Sequence, residues 1–130
     1  MFKFSGTRPS NLGVKDGKLV ACPSSPNCVS SQADDRQHGI GPIAFSGDAV
    51  TAMHKLAGVV AAMPRTQVIQ SRPDYLYVEF STPLMGFVDD VEFYCDGKAI
   101  QVRSASRLGY SDLGVNRKRI EAIRAAFRNP

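Results

Sequence analysis

The chain has 130 residues, 43% hydrophobic and 22% charged, with a net charge of +4. That length and balance suit one globular domain with a real core and exclude a disordered or low-complexity chain. No apolar run is long enough to span a membrane, and the opening MFKFSGTRPSNLGVKDGK lacks the apolar stretch of a signal peptide, so the expected location is cytoplasmic.

Residues 1–45 are punctuated by Gly6, Pro9, Gly13, Gly17, Pro23, Pro26, Gly39, Gly41 and Pro42, and are expected to form an extended arm over a core spanning residues 46–130. Leu19-Val20-Ala21-Cys22 has the look of a lipoprotein cleavage box, but the residues before it are too polar for that role. Cys22 and Cys28 lie in CPSSPNC, a C-x5-C spacing wider than the C-x2-C of a zinc knuckle. Two unlinked loop thiols are the default expectation. A short-loop disulfide, which would imply an oxidising compartment, and a zinc site completed by His38 are the alternatives. No cofactor is expected.

Residues 46–63 carry Ala49, Met53, Leu56, Ala57 and Val60 at helical spacing, with Ser46 as the expected N-cap, Asp48 in the first turn and Pro64 as the stop. His54 falls on the flank of that stripe. Residues 66–72 and 75–82 read as strands joined at Pro73-Asp74, with Ile69, Leu76, Val78 and Phe80 on the core face. Pro83 and Gly86 then break the run.

Asp96-Gly97 sits between two alternating runs and predicts a two-residue type I′ hairpin, because both central residues of that turn need φ > 0. That register sets Cys95 opposite Lys98, Phe93 opposite Ile100, Glu92 opposite Gln101, Val91 opposite Val102 and Asp90 opposite Arg103. Alternation puts Val91, Phe93, Cys95, Ile100 and Val102 on the core face. Asp90, Glu92, Tyr94, Gln101, Arg103 and Arg107 fall on the other. Asp89 falls on the apolar side with Ser104 and Ser106, where a carboxylate needs several donors. A structural network, a ligand site and a simple strand end are all open there.

The last helix carries Ile120, Ile123, Ala126 and Phe127 as its apolar stripe and takes Asn116 as its expected N-cap. Arg117, Lys118 and Arg119 then fill a first turn where cations oppose the helix dipole. Asp89, Asp90, Asp112 or a bound anion could offset that conflict. From Arg103 to Arg128 seven cations face only Asp112 and Glu121, a net +5, leaving the rest of the chain at −1. Such a segment attracts anions, but with only Tyr110 and Phe127 as aromatics it does not indicate nucleic acid. Helix, four strands and helix with short links imply an α+β two-layer sandwich, α-β-β-β-β-α, with a four-stranded antiparallel sheet.

CPSSPNCVSSQ at residues 22–32, the stretch 38–42, FVDDVEF at residues 87–93 and RSASRLGYSDLGVNRKRIEAIR at residues 103–124 resemble the domain of unknown function 1499 family. The likeness covers nearly the whole chain. It implies that these motifs act as one unit and implies no reaction.

The leading functional expectation is a non-enzymatic module binding an anionic small molecule, a headgroup or a partner protein. Its candidate residues are Asp89, Asp90, Glu92, Arg103, Ser104, Ser106, Arg107, Asp112, Asn116 and Arg119, with Arg103 and Arg107 expected near the last helix start. The alternatives are an enzyme using Asp89, Asp90 or Glu92 as acid, base or metal ligand, and a purely structural or interaction role.

Overall fold

Asp48, not Ser46, opens the first helix. Its carboxylate accepts the Thr51 N–H at 2.9 Å, satisfying one of the donors a helix start leaves free, and α1 runs Ala49–Ala61. Ala52, Met53, Leu56 and Val60 form its buried stripe, and His54 is exposed. The computed structural model describes residues 5–83 and 85–129.

The sheet has five antiparallel strands rather than four. β1 is Cys28–Ser30, β2 Thr66–Arg72, β3 Tyr75–Ser81, β4 Val88–Cys95 and β5 Ile100–Ser106, in the order β1-β5-β4-β3-β2. The extra strand comes from the arm. Its three residues are all buried, and it pairs Val29 with Ser104. Prolines and serines on either side hide so short a strand from any periodicity test.

The hairpin slides by two residues from the expected register. Cys95 pairs with Ile100, Phe93 with Val102, Glu92 with Arg103 and Asp90 with Ala105. Gly97 takes φ 92°, whereas Asp96 is not among the residues at positive φ, so no type I′ turn forms. Instead the Asp96 carboxylate accepts the Lys98 and Ala99 N–H groups, both at 2.9 Å, and closes a four-residue loop. A slip of one residue would exchange the two faces, whereas a slip of two preserves them. The assignment of side chains to faces therefore stands although the pairing does not.

One face carries Leu76, Val78, Phe80, Val91, Phe93, Cys95, Ile100 and Val102 into a core shared with α1 and with α2, Val115–Arg128, through Met53, Leu56, Val60, Ile120, Ile123 and Phe127. The other face meets the arm, where Leu19 packs with Tyr75 and Tyr77, and Leu12 and Ile69 lie against them. Ile69 belongs to this second cluster and not to the expected core face, because a bulge between Val68 and Gln70 shifts the alternation of β2. Among the described residues no helix is long and apolar enough to cross a membrane.

Candidate functional site

The expected site residues separate into two networks on opposite faces of the sheet. Asp90, Glu92, Arg103 and Arg107 face the arm. Asp89, Ser104, Ser106, Asp112, Asn116 and Arg119 face the start of α2. Asp89, Arg103 and Arg107 therefore do not converge, and Arg103 and Arg107 do not lie near the helix start as expected. The cause is the pleat: adjacent residues of one strand point to opposite faces, and Asp89-Asp90 is such a pair.

On the arm face, Arg107 grips Asp90 through two bonds, Nε to Oδ2 and Nη2 to Oδ1, both 2.8 Å. The same Nη2 reaches Glu79 Oε2 at 2.5 Å, and Arg8 Nε donates to that oxygen at 2.6 Å. Tyr77 donates its hydroxyl to Asp90 at 2.5 Å, and Tyr75 to Glu92 at 2.6 Å. The Asp90 hydrogen bonds hold the Arg107 guanidinium well above its ordinary value, against the opposing effect of burial. Burial raises the Glu92 carboxyl, and the Tyr75 hydroxyl and the Gly13 N–H (2.8 Å) only partly counter it. Arg103, paired across the strands with Glu92, is lowered by burial. Glu92 Oε1 and Arg103 Nε have no hydrogen-bond partner among the described residues.

On the helix face, Asn116 is a fully buried hub rather than an N-cap. Its Oδ1 accepts from Ser104 Oγ at 2.6 Å and Arg119 Nη1 at 2.9 Å, and its Nδ2 donates to Asp112 Oδ2 at 2.6 Å and Ser106 Oγ at 2.9 Å. The capping position belongs to Gly114 at φ 82°, which offers no side chain. Asp112 serves instead, accepting the Gly114 N–H at 2.8 Å and the Asn116 N–H at 3.0 Å. Burial works to raise the Asp112 carboxyl, but these donors outweigh it and leave it lowered.

The three cations of the first turn are accounted for in the same way. Arg119 pairs with buried Asp89 at 2.8 Å and lies over the Phe80 ring at 4.8 Å. Arg117 donates to the carbonyls of Gly39 and Gln37, and Lys118 is exposed. Asp112 and Asp89 offset the dipole conflict, while Asp90 lies on the far side of the sheet.

Above this floor opens a cleft of about 350 Å³ between residues 82–88 and 106–115. Phe87, Val88, Leu108, Leu113 and Val115 form its walls, and Asp89, Ser106 and Asp112 its polar base. Among the described residues no arginine or lysine lines it. Residue type marks the polar base in the sequence, whereas nothing marks the walls, because Leu108, Leu113 and Val115 sit in a loop and at a helix start with no periodic pattern. On the other face Tyr75, Tyr77 and Glu79 were also missed, although their spacing of two puts them on one side of β3.

The disulfide loop supports the cleft from behind. Cys22 and Cys28 are joined, correcting the expectation of two free thiols. Between them, Asn27 donates to the Gly109 carbonyl at 2.8 Å, and its own carbonyl accepts the Ser106 N–H at 3.0 Å and Asn116 Nδ2 at 3.3 Å. The zinc alternative does not form either, because both ring nitrogens of buried His38 are engaged, Nδ1 with Asp35 at 2.6 Å and Nε2 with the Ser25 carbonyl at 2.8 Å. Two acceptors require a doubly protonated ring.

The Ser25 carbonyl raises His38 above its ordinary 6.5, burial opposes, and Asp35 adds to the rise. A raised histidine contributes stability that is complete below pH 6.5 and is lost as pH climbs through the folded-state value. His38→Gln is therefore expected to lower the melting temperature at acidic pH, with the gap to the native protein closing on the alkaline side. A gap independent of pH would contradict the charged clasp.

A family model described as "Protein of unknown function (DUF1499)" matches residues 18–127. No curated protein and no solved structure matches the chain.

Proposed function

The chain belongs to the DUF1499 family, whose description carries no activity, and from its site we propose that it is a binding module for a small amphipathic molecule held in the cleft between residues 82–88 and 106–115. The carrying observation is an apolar-walled cavity of about 350 Å³ over a polar base in which Ser106 and Asp112 bond to Asn116 and Asp89 pairs with Arg119, the usual composition of a small-molecule site. Its acids favour an occupant that ends in a hydroxyl or amine. An anion is disfavoured at this place, because Asp89 and Asp112 line the cleft while Arg119 already pairs with Asp89 and Arg107 with Asp90.

Catalysis by the carboxylates has less support. Asp89 is separated by the sheet from Asp90 and Glu92, and those two are already engaged on the arm face, Asp90 by Arg107 and Tyr77 and Glu92 by Tyr75 and the Gly13 N–H. The disulfide favours an oxidising compartment over the cytoplasmic one expected from the sequence.

Titration with the neutral apolar fluorophore N-phenyl-1-naphthylamine is expected to give saturable, one-to-one enhancement. Val115→Trp, which fills the cleft from its wall, is expected to abolish that enhancement without unfolding the protein. Unsaturable binding, or binding indifferent to Val115→Trp, would remove this reading.

A further inference from the structure

Most of the large hydrophobic side chains exposed among the described residues gather at one end of the sheet. Met85 and Phe87 stand in the loop before β4, and Leu108, Tyr110, Leu113 and Val115 in the stretch after β5. Contiguous exposed apolar patches of this kind mark interaction surfaces. Leu113 is 87% exposed and Tyr110 69%, so both protrude beyond the rim of the cleft.

The protrusion is built. Leu113 takes φ 55°, a conformation that disfavours a leucine, and is followed by Gly114 at φ 82°. Asp112 pins that turn through the Gly114 and Asn116 N–H groups, and Asn27 holds Gly109 at the other end. A leucine held outward by a braced backbone is placed for a surface that receives it.

The charge around the tips is one-sided. Lys118, one turn into α2, is exposed, and so is Arg65, whose guanidinium donates to the Ser81 carbonyl at the adjoining end of β3. The acids of these segments are withdrawn: Asp89 is buried, and Asp112 is half-buried and occupied with its own turn.

We propose that Met85, in the loop before β4, and the loop 107–115 form a docking surface for an anionic lipid bilayer, with Met85, Leu108, Tyr110 and Leu113 entering the interface while Arg65 and Lys118 meet headgroups. Shallow apolar insertion assisted by basic residues is a sufficient mode of peripheral attachment, and tyrosine suits the headgroup level. This surface rims the cleft but does not depend on the cleft holding a ligand.

The test is co-sedimentation of the full chain, disulfide intact, with phosphatidylcholine vesicles and with phosphatidylcholine vesicles doped with phosphatidylglycerol. Binding is expected to strengthen with phosphatidylglycerol and to weaken with salt. Met85→Asp/Tyr110→Asp, at two positions outside the cleft lining, is expected to lower vesicle affinity about tenfold or more. It should leave N-phenyl-1-naphthylamine enhancement intact. Val115→Trp should do the reverse, losing the fluorophore and keeping the vesicles, so the two readings fail separately. Absence of binding to both vesicle types would overturn the proposal. So would self-association in solution that the double substitution abolishes while vesicle binding is absent or unchanged, since the tips would then be a protein interface.

Discussion

Arg107→Ala is expected to cost the fold about 3–5 kcal/mol, the loss associated with breaking a buried ion pair by removing one partner. The Arg107 side chain is 7% exposed and that of Asp90 2%. Once the guanidinium is gone, among the described residues Asp90 keeps the Tyr77 hydroxyl as its one side-chain donor, and Glu79 keeps Arg8 and a long contact from Tyr77. Lysine at the same position restores a point charge but not the two-pronged grip, so Arg107→Lys should recover only part of the loss. Arg8→Ala gives the matching control. That side chain is 53% exposed and pairs with the same Glu79, and its removal should have a small effect. Urea denaturation measures all three. Equal, small effects would mean that the arm-face network does not hold the arm to the sheet.

Asn116→Ala is expected to cost roughly 3 kcal/mol, because each buried polar group left without its partner loses about 1–3 kcal/mol. Ser104, Ser106, Asp112 and Arg119 all lose a partner at once. Asn116→Asp tests the donors separately: it can keep the Ser104 and Arg119 bonds through one oxygen, but sets a second carboxylate against Asp112. A loss as large as that of the alanine variant would show that the amide donors dominate. Neither variant removing more stability than an exposed substitution would contradict the hub.

Much of the frame was legible from elementary patterns. The boundaries of β2 and β3 follow from alternation around Pro73-Asp74, and the buried stripe of α2 from helical spacing. The two faces of the β4–β5 hairpin were assigned correctly although the register was not. The difference has a local cause: propensity makes Asp-Gly a type I′ turn, whereas the Asp96 carboxylate competes for the Lys98 and Ala99 N–H groups and lengthens the loop. β1 is hidden because three residues beside prolines carry no period, and the disulfide stands in the sequence only as an alternative because C-x5-C spacing does not decide between a bond and two thiols.

The candidate site was legible as chemistry and not as geometry. Most of the polar residues singled out between Asp89 and Arg119 are tied into a network, with Lys118 exposed and Arg103 reaching the Ala21 carbonyl, but sequence proximity merges two networks that the pleat separates. Asn116 illustrates the limit. An asparagine before a run of helix formers looks like a cap, and only the left-handed Gly114 and the capping Asp112 show that the helix has already begun. The apolar walls of the cleft were invisible because nothing local distinguishes an exposed leucine in a loop from a buried one.

The claim that the cleft is the binding site is tested most directly by mapping amide chemical shifts as N-phenyl-1-naphthylamine is titrated in. Saturable shifts centred on residues 82, 87–89, 106, 108, 109, 111–113 and 115 are expected. Shifts centred on Tyr75, Tyr77, Glu92 and Arg103, on the arm face of the sheet, or no saturable shifts at all, would contradict it.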